Sequence, residues 1–161
     1  MDFELDPKRA DAAYEALVKY LAASPRSEKE ARDKLYEKSF HKNEVEFAID
    51  KAKGYRYIDD EAYVSTFLLF NKSRYGIKKL SYKLINEKGI QKAMAENMIA
   101  DAIDDDYEFE LAHDFAVKYA ARKKITGKTG AQKVAAFLYQ KGFEWNVINK
   151  AVSSLFDVFD D

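Results

Sequence analysis

Val134-Ala-Ala-Phe-Leu-Tyr-Gln-Lys-Gly-Phe143 decides the fold, because two earlier stretches repeat its pattern. Ala31-Arg-Asp-Lys-Leu-Tyr-Glu-Lys-Ser-Phe40 and Ser81-Tyr-Lys-Leu-Ile-Asn-Glu-Lys-Gly-Ile90 line up with it at steps of 50 and 53 residues. In each copy a buried-type residue (Leu35, Ile85, Leu138) stands four before a small one (Ser39, Gly89, Gly142), and a large apolar residue follows (Phe40, Ile90, Phe143). That is the end of a helix. The small residue takes the left-handed conformation that stops the helix, and Lys38, Lys88 and Lys141 sit just before it at the negative end of the dipole. Ser39 is the weakest of the three caps.

Outward from the cap, Ile49, Ile99 and Val152 lie nine residues past the large apolar position, and Ala52, Ala102 and Leu155 three further on. This is the spacing of a following helix. Amphipathic stretches at residues 11–23, 60–72 and 107–122 precede the matched helices and complete three helices per copy, nine in all. Start signals agree. Asp6 with Pro7 is an N-cap with proline at the first position, Ser27 with Glu30 has capping-box spacing, and Asp59, Asp60 and Glu61 open the next helix. Asp106 is the expected N-cap of the seventh helix. Phe67, Phe70, Phe109, Phe115 and Phe137 recur at helical spacing and read as packing. A unit that cannot bury its apolar face alone must stack on its neighbours. The expected fold is therefore all-α: three tandem three-helix repeats, residues 1–56, 57–105 and 106–161, stacked into an elongated, curved, solenoid-like domain.

Composition closes off other classes. Six glycines and two prolines in 161 residues are too few for the turns of a many-stranded β fold, and 47% hydrophobic residues are too many for a disordered chain. Cysteine is absent, which excludes disulfides and thiolate metal sites. No run reaches the roughly 18 apolar residues of a membrane span, and the acidic start lacks the basic region of a signal peptide, so a cytoplasmic location is expected. His41 and His113 are far apart, and Asp104-Asp-Asp106 continues as Tyr-Glu-Phe-Glu, which is no calcium loop. Gly127-Lys-Thr129 lacks the upstream glycine of a phosphate-binding loop. No nucleophile, base and orienting group stand together, so neither an enzyme nor a cofactor, metal or small-molecule substrate is expected.

The net charge of -1 hides an uneven distribution. Residues 62–86 contain no acid, yet hold Lys72, Arg74, Lys78, Lys79 and Lys83. Residues 115–143 are again free of acids and hold Lys118, Arg122, Lys123, Lys124, Lys128, Lys133 and Lys141. Both segments centre on the loop between the first and second helices of their copies, so in-register stacking would align them as a basic stripe facing phosphates or an acidic protein surface. Copy one has no equivalent. Tyr75, between Arg74 and Lys78, is the candidate for stacking on a base or partner. The starts of the third helices, His41-Lys-Asn43, Gln91-Lys92 and Glu144-Trp-Asn146, share no base-reading pattern, which argues against a sequence-specific helix-turn-helix reader.

Gly54-Tyr-Arg-Tyr-Ile-Asp-Asp-Glu-Ala-Tyr-Val64, followed by Arg74-Tyr-Gly-Ile-Lys-Lys-Leu-Ser-Tyr-Lys-Leu84 and Glu87-Lys-Gly-Ile90, resembles the pattern of the RecX family. Residues 17–35 carry that family's run of Tyr-Leu, Arg-Ser and Glu-x-x-x-x-Lys-Leu, so the resemblance spans nearly the whole chain in order. It implies a non-enzymatic modulator in DNA repair and the SOS response, one that binds the filament of the RecA recombinase on single-stranded DNA and inhibits its ATPase and recombinase activities. A monomer is the expected state. The resemblance makes the RecA filament the partner, with single- or double-stranded DNA meeting the basic segments, and no membrane. Two features depart from the family: its members are often clearly basic, and the tail Phe156-Asp-Val-Phe-Asp-Asp161 adds negative charge. The alternative reading is a DNA-binding helical module that acts without RecA.

Overall fold

The computed structural model describes residues 4–156; the acidic segment 157–161 and the first three residues lie outside the described residues. The described residues form nine α-helices: α1 (Pro7–Ala23), α2 (Glu28–Glu37), α3 (Lys42–Gly54), α4 (Asp60–Asn71), α5 (Ile77–Tyr82), α6 (Lys92–Ala102), α7 (Asp105–Lys123), α8 (Gly127–Gln140) and α9 (Trp145–Leu155). A π-helical turn, Lys83–Glu87, continues α5. The helices form three sets of three, as the repeat requires, with no strand among the described residues.

Helix starts follow the capping residues. The Asp6 carboxylate accepts from the Lys8 N–H at 3.0 Å, with Pro7 at the first position. Ser27 and Glu30 form the reciprocal capping box, each side chain accepting the other's backbone N–H at 3.2 Å. Asp59 accepts from the Ala62 N–H at 3.1 Å at the start of α4. The cap of α7 is Asp104 rather than Asp106: its carboxylate accepts from the Tyr107 N–H at 2.7 Å. Buried Ile103 turns inward just before it, which places Asp104 at the junction and leaves Asp106 in the first turn.

The three helix ends confirm the repeat and correct one register. Ser39, Gly89 and Gly142 all have positive φ, at 69°, 69° and 95°. Phe40 and Phe143 donate back to the carbonyls of Leu35 and Leu138, both at 3.2 Å, but Ile90 donates to Leu84, one residue further back, at 2.9 Å. The π turn accommodates that extra residue. It rotates the helix so that Leu84, with no exposed surface, takes the place of Leu35 and Leu138, while Ile85 is half-buried.

In the first copy α1 packs chiefly on α3, and Ala13, Leu17, Ala31, Leu35, Val45, Ala48 and Ile49 form the core. In the third, Ala112, Ala116 and Ala120 give α7 a small-residue ridge that packs on α9, with Leu138, Phe143 and Ile148 filling the centre. Ile49, Ile99, Val152 and Ala52 are buried as their spacing predicts. Ala102 is exposed because α6 ends there, and Ile103 enters the core in its place; Leu155 is half-buried. Phe109, Phe115 and Phe137 pack against the core, but Phe70 is 68% exposed: the buried positions of α4 are Val64 and Leu68, and Phe70 falls off their face.

The described residues cluster into two compact units. The first runs to Thr66 and includes Leu84–Met94; the second holds Phe67–Lys83 and resumes at Ala95. The middle copy is thus divided between them. Among the described residues no helix is long and apolar enough to cross a membrane.

Candidate partner-binding surface

The basic segment of copy two is held in place by its backbone. Ahead of α5, the Gly76 N–H donates to the Lys141 carbonyl at 2.8 Å and the Lys78 N–H to the Gly142 carbonyl at 2.9 Å. A Cβ on Gly76 would lie 2.5 Å from the carbonyl carbon and oxygen of Gly142, and one on Gly142 would strike the backbone and Cβ of Lys79. Neither backbone can yield, so both glycines are needed for the approach. Glu108 of α7 completes the joint by accepting the Ile77 N–H at 2.8 Å, which satisfies an otherwise orphaned donor at the start of α5. The first unit repeats this design. Asp60 of α4 accepts the Glu28 N–H at 2.8 Å, and a Cβ on Gly89 would strike the Lys29 side chain. In both units the second helix of one copy starts against the cap of the next copy, and an acid from that copy's first helix holds its N–H.

Pinning Gly76 fixes Tyr75, whose half-buried ring gathers cations. The Arg74 Cζ lies 5.9 Å from the ring centroid, and the Lys79 and Lys83 Nζ atoms each lie 5.2 Å from it. Lys72 places its Nζ 5.2 Å from the Tyr107 ring. Exposed Lys78 stands 5.9 Å over Tyr139, and that ring is stacked on Trp145 at 5.3 Å. Lys79 also donates to the Gln140 carbonyl at 3.3 Å.

The cations of copy three are placed differently. Arg122 lies 5.7 Å over Tyr119, and Lys123 and Lys124 are exposed at the end of α7. Lys124 is itself the left-handed cap, with φ 53°, and the next N–H, of Ile125, donates to the Ala120 carbonyl at 3.0 Å. Lys128 opens α8, and Lys133 is exposed further along it. Lys118 pairs with Asp114 at 2.9 Å, and Lys141 covers the rings of Phe115 and Phe137. Copy two meets the C-terminal end of α8, whereas the run from Arg122 to Lys128 lies at its N-terminal end, roughly 20 Å away along the helix. The structure therefore gathers Arg74, Tyr75, Lys79 and Lys83 into one cluster with Lys78 alongside, and keeps Arg122, Lys123, Lys124 and Lys128 apart from it.

Two features of this surface were not read from the sequence. Glu108 is 3% exposed, and its second oxygen has no hydrogen-bond partner. Burial pushes its carboxyl up to about 7, and the charge of Glu144 acts in the same direction, against the Ile77 N–H that favours the ionised form. Tyr82, Tyr139 and Trp145 are 59%, 51% and 54% exposed. Tyr139 directly follows core Leu138, which sets it off the buried face of α8; a large aromatic at that register is the signal that was available.

The family model of the third three-helix domain of RecX matches residues 105–152, and that of the first three-helix domain matches residues 13–51. The chain is 33% identical to the regulatory protein RecX of Chlorobium limicola, over 94% of this chain and 93% of that one. The chain belongs to the RecX family. The RecX matches extend to Caldanaerobacter subterraneus subsp. tengcongensis, whose regulatory protein RecX is 30% identical over 79% of this chain; the alignment spans 62% of the relative's length. The crystal structure of RecX from Lactobacillus salivarius is similar with a TM-score of 0.80 and 26% identity, covering 92% of this chain and 97% of that one. The two segments matched by the RecX domain models lie within the triads α1–α3 and α7–α9, and the Chlorobium match takes in the middle copy as well.

Proposed function

We propose that this chain is a regulator that binds the filament formed by the RecA recombinase on single-stranded DNA and inhibits its ATPase and recombinase activities. The support is family membership: the relatives it matches are named regulatory proteins. The contact surface in this reading is the cluster of Arg74, Tyr75, Lys79 and Lys83, with Lys72 and Lys78 beside it. The second run, Arg122, Lys123, Lys124, Lys128 and Lys133, gives a further contact about one helix length away. The protein acts in the cytoplasm, as a monomer and without a cofactor.

A filament is a long polyanion coated with protein, and cations held on a rigid joint meet it with little ordering cost. Contacts of this kind weaken as salt rises. The test is ATP hydrolysis by RecA on single-stranded DNA, measured with increasing amounts of this protein. Inhibition that saturates near stoichiometry, and that is relieved by salt at concentrations RecA itself tolerates, is the expected result. An unchanged hydrolysis rate at stoichiometric protein overturns the reading.

A further inference from the structure

We infer that Tyr82, Tyr139 and Trp145, bordered by Lys78 and Lys79, form a stacking site for the unpaired bases of single-stranded nucleic acid. The site goes beyond the regulator reading, because it acts on the nucleic acid itself and needs no recombinase. It is a groove of about 390 Å³ lined by Lys78, Lys79, Tyr82, Tyr139, Gln140 and Gly142, with Trp145 extending it through its stack on Tyr139.

Three observations converge on this ligand. First, all three rings are more than half exposed, which leaves their faces open to a ligand. The core of copy three is complete without them, built on Leu138, Phe143 and Ile148. Second, the Tyr139 and Trp145 planes lie 21° apart at 5.3 Å, an offset stack that continues the geometry bases use with one another. Third, the rings stand next to cations. Lys78 is 5.9 Å from the Tyr139 ring, and the cluster of Arg74, Lys79 and Lys83 around Tyr75 continues the positive charge along α5. Aromatic faces alternating with cations are what a single strand requires, since its bases need π surfaces and its phosphates need positive charge a few ångströms away. Duplex DNA presents the phosphates but keeps its bases stacked inside. A protein surface would use the apolar rings but gains less from Lys78 over Tyr139 and the cations around Tyr75.

The floor of the groove is rigid. It is the joint in which Gly76 and Lys78 donate to Lys141 and Gly142, so the ring positions on α5 and at the end of α8 are set before any ligand arrives. Prior ordering of this kind lowers the entropic cost of binding.

Trp145 is the only tryptophan in the chain, so its fluorescence reports on this site alone. The experiment titrates the full chain at low salt with an oligo-dT strand, with the same sequence as a duplex, and with polyphosphate, which has phosphates and no bases. Saturable quenching by oligo-dT, with little by duplex or polyphosphate, is expected. Tyr139→Ala and Tyr82→Ala should each weaken oligo-dT binding about fivefold to a hundredfold, and Tyr139→Phe, which keeps the ring, should bind as the natural protein does. Because these side chains are more than half exposed, far-UV circular dichroism of the variants should be unchanged. Equal quenching by polyphosphate and oligo-dT overturns the inference, as does undiminished binding by the Tyr139→Ala and Tyr82→Ala variants. If those variants bind oligo-dT normally but no longer inhibit RecA, the rings face a protein partner, and the inference is likewise overturned while the regulator reading stands.

Discussion

Glu108→Gln should make the protein less sensitive to pH. Glu108 is 3% exposed, one oxygen accepts the Ile77 N–H at 2.8 Å, and the other has no partner. Burial holds its carboxyl at about 7 against an ordinary 4.5. The folded state therefore favours the protonated form. The cost of ionising this group is absent below the unfolded value of 4.5, grows as pH rises through the interval, and is complete above about 7. At 1.36 kcal/mol per unit, a rise of this size costs up to about 3 kcal/mol at pH 8. Glutamine keeps the carbonyl that accepts from Ile77 and removes the charge; its amide, placed where Glu108 has no partner, costs about 1–2 kcal/mol at every pH. The absolute effect at one pH is thus ambiguous, but its pH dependence is not. Urea unfolding of the two proteins at pH 4.5 and pH 8 should show the variant gaining about 3 kcal/mol on the natural protein between those values. A difference that stays constant across the interval refutes the assignment of a buried, neutral Glu108 at this joint.

Gly76→Ala should destabilise by about 3 kcal/mol or more, because its Cβ meets the Gly142 backbone, whereas Gly54→Ala, with open space around it, should be neutral or stabilise by up to about 1 kcal/mol; thermal unfolding of both variants measures the contrast. Ser39→Gly relieves a non-glycine residue at φ 69° and should stabilise by about 1 kcal/mol in urea unfolding. Glu44→Ala removes the carboxylate that meets the exposed Arg9 guanidinium at 2.7 Å and accepts the His41 N–H at 2.8 Å, and urea unfolding at pH 7 should show the variant to be less stable. The Arg9 bond holds the Glu44 carboxyl below its ordinary 4.5, so its contribution is present above that value and disappears as pH falls; the gap between this variant and the natural protein should narrow in acid.

The repeat was legible because its constraint is local. A left-handed cap needs glycine or a small polar residue, so Ser39, Gly89 and Gly142 mark three helix ends in the sequence and show positive φ in the structure. Caps at Asp6 and Ser27 were legible for the same reason: each capping bond spans only two or three residues. The π turn was not, because Leu84 and Ile85 are both apolar and only the packing around them selects which is buried. Asp104 and Asp106 likewise differ in position rather than chemistry, and the inward turn of Ile103 chooses between them. At the candidate surface, the charge was legible and its grouping was not. Arg74, Lys79 and Lys83 converge on Tyr75 because Gly76 rests on Gly142, a pair far apart in sequence. The acids that close the two joints, Asp60 and Glu108, look like ordinary first-turn carboxylates until their long-range partners are seen.

In the proposed function, cations fixed at the joint between copies two and three hold the protein on the RecA filament. The most direct measurement is co-sedimentation with RecA–single-stranded DNA filaments for the natural protein, the Lys78→Glu/Lys79→Glu variant and the Lys123→Glu/Lys124→Glu variant, at low and moderate salt. The natural protein should sediment with the filaments, less so as salt rises, and the Lys78→Glu/Lys79→Glu variant should stay largely in the supernatant with its helicity intact, with a smaller loss for the other variant. Equal co-sedimentation of all three proteins would mean that these cations do not hold the protein on the filament.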